Sequence, residues 1–551
     1  MKKALRIVFI VFLMLSAIVT FAYVGLHKKN KTPDSSAGSH SVIRENVSSV
    51  SGEPSIALAD GDFAIQVGQS HQCTLELNNA GTDTNVIWSS TDSKIVSVDD
   101  NGRVTGISPG DAEIIAVAGQ GLKARSKISV FDNYTVAAEQ AINALASDGS
   151  DESIIRIKEM TRRLGNSGSP DAEPALAALK AIMNIAKAGA TGSGDVPALC
   201  ASLKNAAKSA GMDSLTENSI RRAALLAYCQ GEKISSELII SFTGDCTFGR
   251  FNEENTSEQF PAVYKKSGSA TYPFDLTKQI FAADDVTMIN LECALTNSRR
   301  HKNKEFYFRG DPSYVNILTK SSVEAVTVEN NHSFDYYDTG FNDTIDALRD
   351  AGIRYTSYYS PAVMHINGVR VVMLSLCMIN SGYTDEIREH VENCVNQYKQ
   401  SDTVIIMNIH WGQELEKYPL DSQIKAAHAM IDAGVDLIIG HHPHILQGAE
   451  LYKGHYIFYS LGNFSFGGNT KVKNPQTVIL RAMFGKDGNG KVILIRLSAV
   501  PCLTTSSGSS KNNYRPIPIY GSKGEAVIEQ ILSRSNGLEN GIRSLPWHMI
   551  P

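Results

Sequence analysis

The stretch LIISFTGDCTFGR, residues 238–250, decides the fold of the larger part of this 551-residue chain. It starts with an apolar run rich in isoleucine, and that run stops at Asp245. A short apolar run of this kind is typical of a strand buried on both faces of a parallel sheet. Because open α/β sheets bind their ligands at the carboxyl ends of the strands, a carboxylate at that point predicts a functional site.

The same arrangement recurs further along the chain, in apolar runs at residues 286–291, 325–328, 404–409, 435–439 and 456–459. The polar residues that follow these runs are Glu292, Asn330, Asn331, His332, His410, His441, His442, His444 and Asn463. Oxygen and imidazole donors of this kind suit divalent zinc, manganese or iron. Two such ions bridged by a carboxylate polarise a phosphate, so we expect one or two ions in a shared site.

Taken one at a time, these residues have ordinary explanations. A single histidine at a strand end is usually a hydrogen-bonded surface residue, Asp245 could cap a helix, and Glu292 could pair with a basic neighbour. The cluster HHPH at 441–444 is harder to explain in this way, because Pro443 stiffens the loop between two potential ligands. Since so many strand ends share the pattern, one common site is the favoured interpretation.

Composition and missing motifs exclude several classes of protein. The formal net charge of -5 and the lack of a long basic run beyond the N-terminus argue against a nucleic-acid partner. No G-x-x-x-x-G-K-[ST] loop and no nucleophile elbow are present, which argues against P-loop and serine hydrolase chemistry. The eight cysteines form no C-x-x-C pair, although Cys200 and Cys229 could pair with each other.

The rest of the chain divides into segments of different character, which makes the protein multidomain. Residues 54–132 alternate apolar and polar side chains between turns such as DDNG at 99–102, which predicts a β-sandwich. Residues 133–234 are rich in alanine, with apolar side chains three and four apart, which predicts a helical connector. We place the α/β domain at 235–503 and a C-terminal tail at 504–551.

The N-terminus predicts a membrane anchor. An apolar run of about 20 residues crosses a hydrocarbon core of about 30 Å, and basic residues flank it on both sides. We therefore predict a single-pass transmembrane helix at 1–26 and a flexible linker at 27–53, with the bulk of the chain outside the cell. The alternative is a cleaved signal peptide, with Thr20-Phe21-Ala22 as its cleavage site.

Several motifs together resemble the CapA family of capsule-synthesis proteins, which is associated with poly-γ-glutamate production. These motifs are GDCTFGR (244–250), NLECALT (290–296), NNHSFD (330–335), HWGQE (410–414), GHHPHILQ (440–447) and YSLGNFSF (459–466). The family is similar to calcineurin-like metallophosphoesterases, so the resemblance implies a four-layer α/β/β/α sandwich. Residues 86–116 resemble a group 2 bacterial immunoglobulin-like domain, a type that usually serves as an extracellular spacer or adhesive module.

The resemblance also implies a role for each motif residue. The expected metal ligands, with Glu292 as the bridging carboxylate, are Asp245, Glu292, Asn331, His410, His442 and His444. His332 would protonate the leaving group, with Asp335 to orient it. The residues expected to bind an anionic substrate are Arg250, Arg309 and Asn463.

This chain departs from the phosphoesterase pattern at its first metal position. The usual Asp-x-His is here Asp245-Cys246-Thr247, so one histidine ligand is absent. A glutamate, Glu292, also stands where that superfamily has a bridging aspartate.

The resemblance leaves three functions open. The first is a membrane-anchored, metal-dependent hydrolase or transferase that acts on an anionic envelope polymer such as poly-γ-glutamate. The second is a non-catalytic component that binds or exports the polymer together with capsule-synthesis membrane proteins. The third is a phosphoesterase that acts on envelope phosphoesters.

Overall fold

The computed structural model describes residues 55–78, 85–118, 122–251, 256–379, 382–546 and 548. The predicted membrane helix at 1–26 and the linker at 27–53 lie outside these residues. Among the residues described, no helix is both long and apolar enough to span a membrane. All eight cysteines are described and none is in a disulfide bond, so Cys200 and Cys229 do not pair.

The N-terminal β-sandwich consists of short strands: β1 (Ser55–Leu58), β2 (Phe63–Gln66), β3 (Ser70–Gln72), β4 (Leu75–Asn78), β5 (Ile87–Ser90), β6 (Val96–Val98), β7 (Arg103–Gly106), β8 (Gly110–Ala118) and β9 (Leu122–Phe131). They form sheets in the orders β2-β9-β8-β5, β3-β7-β6 and β1-β4. Alternate residues such as Phe63, Ile65 and Ile114 are buried in a shared core. This period of two is the pattern expected of half-buried strands.

The helical region contains five α-helices: α1 (Tyr134–Asp148), α2 (Asp151–Gly165), α3 (Glu173–Thr191), α4 (Val196–Ser209) and α5 (Glu217–Ser235). Thr216 caps α5 by accepting a hydrogen bond from the backbone N–H of Ser219. Helices α3 and α5 pack backbone against backbone at two glycines. A Cβ atom on Gly231 would lie 1.9 Å from the carbonyl oxygen of Ala186, so a larger residue does not fit there.

The α/β domain begins at β10 (Leu238–Thr247). The strands after it are β11 (Arg250–Phe251), β12 (Val286–Leu291), β13 (Ala294–Leu295), β14 (Phe308–Gly310), β15 (Ala325–Thr327), β16 (Arg354–Thr356), β17 (Ala362–Ile366), β18 (Val369–Met378), β19 (Thr403–Trp411), β20 (Leu437–His441), β21 (Ala449–Tyr452), β22 (His455–Phe458), β23 (Asn463–Phe466), β24 (Gln476–Lys486), β25 (Val492–Leu503) and β26 (Ile517–Pro518). The helices are α6 (Phe260–Ser267), α7 (Lys278–Phe281), α8 (Val315–Thr319), α9 (Tyr337–Asp350), α10 (Asp385–Tyr398), α11 (Asp421–Ala433) and α12 (Gly521–Ser535).

Two large sheets organise this domain. The first has the order β16-β15-β12-β10-β24-β25-β26, with β23 also paired to β10. The second has the order β17-β18-β19-β20-β22-β21. Strands β10, β12, β15 and β16 run parallel in the first sheet, as do β18, β19, β20 and β22 in the second. The carboxyl ends of the strands that precede the candidate ligands therefore lie at one edge of each sheet.

The two sheets pack face to face, with helices on both outer faces. On β19, Val404 and Ile406 belong to the apolar core between the sheets, whereas Ile405 and Met407 belong to the core beneath α10 and α11. The outer face of the first sheet shares one apolar core with α9 and with the helical region. The result is an α/β/β/α sandwich in which the segment expected to be a connector forms part of an outer layer.

The segment predicted as a C-terminal tail, residues 504–551, adds to the same domain. Strand β26 pairs with β25 at the edge of the first sheet. Helix α12 places Val527, Ile528 and Ile531 in the core between the sheets. The domain therefore continues past residue 503.

Candidate metal centre

The end of β10 is shaped by a close approach of two backbone segments. A Cβ atom on Gly244 would lie 1.9 Å from the carbonyl oxygen of Gly462, so a larger residue does not fit without moving the chain. The backbone N–H of Asp245 donates to that same carbonyl over 2.9 Å. The register of β10 against β12 shifts between Phe242 and Asp245, and bulges of this kind re-aim side chains beside active sites. The GDC and LGN motifs therefore act together to position Asp245.

The carboxylate of Asp245 is buried and surrounded by donors. Its Oδ1 accepts from Nδ2 of Asn290 at 2.8 Å and lies 3.1 Å from Nδ1 of His441. Its Oδ2 accepts from the backbone N–H of His442 at 3.3 Å and lies 3.1 Å from Nδ1 of His444. Burial alone would raise the pKa of Asp245, but the hydrogen bonds from His441 and His444 outweigh it and hold the pKa well below its usual value. Asp245 is therefore an anion.

Glu292 lies at the centre of the cluster and has no hydrogen-bond partner for either carboxylate oxygen among the described residues. Its Oε1 lies 3.6 Å from Nε2 of His410, 3.9 Å from Nε2 of His332 and 4.0 Å from Nε2 of His444. Burial, and then the charge of Asp245, raise the pKa of Glu292 well above its usual value. A buried carboxylate without donors is costly, which indicates that a cation belongs beside it.

Two histidines in the cluster are neutral candidate ligands. Nε2 of His410 lies 3.0 Å from Oδ1 of Asn331. His442 adopts a left-handed backbone conformation with φ of 95°, and its Nδ1 is buried without a partner in the described part of the chain. Burial lowers the pKa of His410 well below its usual value and that of His442 to about 4. Both imidazoles therefore have the deprotonated form that metal binding needs.

The donors fall into two groups that share Glu292. One group adds Asp245 and His410 to it, and the other adds His442 and His444. Within each group the ligand atoms all lie within 4.8 Å of one another. Mixed carboxylate and imidazole donors suit zinc, manganese or iron, and a shared carboxylate suits a bridging position. The residues present therefore fit one or two divalent ions.

Thr247 occupies the position where the phosphoesterase pattern has a histidine. Its side chain is fully buried, and its hydroxyl donates to the carbonyl oxygen of Glu292 over 3.0 Å. The hydroxyl thus fixes the strand end that carries Glu292. The missing histidine is replaced by a structural contact.

His332 is oriented by a buried carboxylate. Its Nδ1 lies 2.7 Å from Oδ2 of Asp335, and its Nε2 faces Glu292. Asp335 also accepts hydrogen bonds from Nζ of Lys304 and from the backbone N–H of Phe308, each over 2.8 Å. Burial lowers the pKa of His332, although Asp335 acts in the opposite direction. The arrangement fixes the ring and points one nitrogen at the cluster.

The three residues predicted to bind substrate have different surroundings. Arg250 and Arg309 are paired residues of β11 and β14, in the small sheet that also contains β13. The Nη1 of Arg309 donates to the carbonyl oxygen of Thr296 over 3.3 Å. Oδ1 of Asn463 lies 2.9 Å from Nδ1 of His444, so the contact made by Asn463 is with a candidate ligand.

Several residues of the cluster lie outside the set predicted as metal ligands, although Asn330 and His441 are among the strand-end residues expected at the shared site. Asn290 joins Asp245 to His410, and Nδ2 of Asn330 donates to Oδ1 of Asn290 over 3.0 Å. His441 contacts Asp245 directly, although only His442 and His444 of the HHPH cluster were predicted as metal ligands. The sequence offered one signal for Asn290, which is that it is a polar residue inside the apolar strand VTMINL.

Two families match this chain in sequence. The family described as bacterial capsule synthesis protein PGA_cap matches residues 239–468. The family described as bacterial Ig-like domain (group 2) matches residues 54–129. The first match contains the candidate metal centre, and the second covers the β-sandwich up to residue 129.

Individual relatives match the larger domain. The capsule biosynthesis protein CapA of Bacillus anthracis is 30% identical over 310 residues, which cover 50% of this chain and 70% of the relative. The PGA biosynthesis protein CapA of Bacillus subtilis (strain 168) is 29% identical over 275 residues, or 46% of this chain and 70% of the relative. A probable polyglutamine synthesis accessory protein of Mycobacterium tuberculosis is 27% identical over 210 residues, or 33% and 55%.

Proposed function

The chain belongs to the CapA family of bacterial capsule-synthesis proteins, and from this premise we propose that it is a metal-dependent hydrolase or transferase in poly-γ-glutamate capsule synthesis. Its substrate in this proposal is an anionic polymer of the cell envelope. One relative's name supports the polymer, since it refers to PGA biosynthesis.

One observation supports the metal dependence above all others. The carboxylate of Glu292 is fully buried without a hydrogen-bond donor among the described residues, and three imidazole nitrogens lie within 4.0 Å of it. A protein that only needed to fold would be more stable with an apolar residue there. A cation beside Glu292 would offset the cost of burying its carboxylate there.

The proposed roles follow from the contacts. The ions would be held by Asp245, Glu292, Asn331, His410, His442 and His444, and when bound they would supply Lewis-acid polarisation of a carbonyl or phosphoryl oxygen. His332, in its protonated form, would give the proton on Nε2 to the leaving group, while its Nδ1–H stays bonded to Asp335. Asp335 and Lys304 act through His332, because they hold its ring and its Nδ1–H bond. Asn463 holds the ring of His444 in the same way.

The proposal also covers location and partners. A single-pass anchor at 1–26 would hold the protein at the cell membrane with its domains outside the cell. The β-sandwich and the helical region would then separate the metal centre from the membrane. Capsule-synthesis membrane proteins are the proposed partners.

The test begins with the purified full chain. We expect elemental analysis to find Mn, Zn or Fe, and we expect the protein to shorten poly-γ-glutamate, as followed by size-exclusion chromatography. Both His332→Ala and His442→Ala should abolish that cleavage, and only His442→Ala should lower the metal content. His365→Ala is the matched control, because His365 is exposed on β17.

The remaining functions predict different outcomes. Hydrolysis of an aryl phosphate without cleavage of poly-γ-glutamate would identify a phosphoesterase. Polymer binding without turnover of either substrate, in protein that contains metal, would identify a non-catalytic binding component. Full cleavage in both His332→Ala and His442→Ala would disprove the assigned site.

A further inference from the structure

A second cavity lies apart from the metal centre. It has a volume of about 520 Å³, which is within the usual range of about 300–1,000 Å³ for ligand pockets. Its walls come from three places: α5 of the helical region, residues 276–280 at α7, and residues 517–523, which run from β26 into the start of α12. No residue of the candidate metal centre is among the described residues that line it.

The charged side chains that line the cavity are all basic among the described residues. Arg221, Arg222 and Lys523 line it, and no aspartate or glutamate among the described residues does. Arg221 pairs with Glu217 over 2.9 Å, yet its Nε is buried and has no hydrogen-bond partner in the described part of the chain. Three cations from two separate elements therefore face a common space.

Arg222 is a half-buried cation that has no anionic side chain beside it among the described residues. Its side chain is half-buried and donates to Oε1 of Gln279, but it forms no ion pair with a carboxylate in the part of the chain that the structure describes. Burial lowers the pKa of Arg222, as expected for a cation partly removed from water. Guanidinium groups in such surroundings are normally paired with an anion.

A further donor lies on the same wall. Tyr520 lines the cavity next to Lys523 and its side chain is half-buried. Burial raises the pKa of Tyr520 to about 12, so the phenol remains protonated and able to donate. An oxyanion in the cavity would therefore meet a charged group and a neutral O–H donor.

The apolar wall of the cavity comes from Leu225, Leu226, Leu276, Ile280, Ile517 and Ile519, and the polar residues Asn218 and Ser522 also line it. Pockets that combine an apolar wall with a few convergent polar groups fix the orientation of small molecules. We propose that this cavity binds a small oxyanion, a carboxylate or a phosphate, on an apolar or aromatic body. The oxyanion pairs with Arg222 and Lys523, and the body packs on the leucine and isoleucine wall.

Three probes with one ring test the proposal. The purified full chain is titrated by calorimetry with benzoate, phenylphosphonate and uncharged benzamide. We expect at least one of the two anions to bind about tenfold more tightly than benzamide, because a hydrogen bond to a charged group is worth more than a neutral one. The comparison of benzoate with phenylphosphonate shows whether the site prefers a carboxylate or a phosphate.

Variants assign the binding to this cavity. Arg222→Gln and Lys523→Glu should each weaken anion binding about tenfold or more. Lys523 is exposed, so its variant tests the site even if Arg222→Gln does not fold. Arg349→Gln is the matched control, since Arg349 is exposed on α9 and pairs with Asp346.

Three results would overturn the proposal. One is equal binding of benzamide and both anions. Another is anion binding that neither Arg222→Gln nor Lys523→Glu weakens. The third is binding that disappears when a chelator removes metal from the protein, since that outcome assigns the anion to the metal centre. If none of the three probes binds at millimolar concentration, the proposal is overturned in the same way as by equal binding.

Discussion

Oδ2 of Asp335 lies 2.7 Å from Nδ1 of His332, and both side chains are buried beside the cluster around Glu292. A carboxylate on one imidazole nitrogen fixes the tautomer and makes the other nitrogen more basic. Because Lys304 and a backbone N–H also bind Asp335, its position is fixed from several directions. In the proposed function, Asp335 is thus a positioning residue for the proton that His332 would give.

Asp335→Asn should lower kcat about 10–100-fold with little loss of bound metal. Asp335 raises the pKa of His332, so its removal should also shift the His332-dependent limb of the pH profile to lower pH. Kinetics across the pH range and elemental analysis of the same sample measure both effects. Asp338→Asn, an exposed change on α9, is the control. A variant with lower kcat and an unmoved pH profile would contradict the positioning role.

Glu292→Gln should abolish metal binding and change the pH dependence of stability. In metal-free protein the folded-state pKa of Glu292 is raised above the usual 4.5, so its ionisation destabilises the fold increasingly as the pH rises above 4.5. Metal-free Glu292→Gln should therefore melt at a higher temperature than metal-free wild type at neutral pH. Added metal should raise the melting temperature of the wild type and of the exposed-site control Glu389→Gln, but not that of Glu292→Gln. A metal-dependent rise in Glu292→Gln would argue against the bridging role.

Much of the cluster is predictable because a strand end is a local feature. Asp245 and Glu292 each follow or end an apolar run, and their strands are parallel neighbours. Asn290 was not predicted, because a polar residue inside a strand gives no information about the face it occupies. The choice between His441 and His442 also depends on a backbone dihedral, since His442 has φ of 95°.

The helices of residues 133–234 were predictable from their apolar period, but their place in the fold was not. A period of 3.6 shows that a helix buries one face and says nothing about its partner. Here that partner includes the outer face of the first sheet. Strand β26 has only two residues, Ile517 and Pro518, which is too short for any periodic pattern.

Gly244→Ala should weaken metal binding, although Gly244 is not itself a candidate ligand. The added Cβ would lie 1.9 Å from the carbonyl oxygen of Gly462, so the end of β10 must move and carry Asp245 with it. We expect weaker metal binding by at least about tenfold and a lower melting temperature, both measurable in a metal titration followed by thermal denaturation. Gly488→Ala is the matched control, because no atom of the other residues that the structure describes lies within 4 Å of its Cβ position. Equal metal affinity in the two variants would show that the approach of β10 to Gly462 is dispensable.

A buried ion network joins the helical region to the α/β domain. Glu232, on α5, accepts from Nε of Arg481 at 3.0 Å and from Oγ of Ser498 at 3.0 Å, and it lies 3.3 Å from Nε2 of His548. Burial opposes ionisation, but His548 and Arg481 outweigh it and lower the pKa of Glu232 to about 2. With two arginines beside it, since Arg496 lies 3.5 Å away, this carboxylate is neutralised by the protein itself.

Glu232→Gln should lower the free energy of unfolding by about 3–5 kcal/mol, because Arg481 and His548 lose their buried anion. Burial opposes protonation of His548, but Cys229 and Glu232 outweigh it and raise its pKa to about 10. This contribution is therefore complete below the usual pKa of 6.5 and disappears as the pH rises through about 10. Denaturant titrations across that window should show wild type losing stability and His548→Gln losing much less. If both lose stability equally, the pH dependence arises elsewhere and His548 is not part of the charged network.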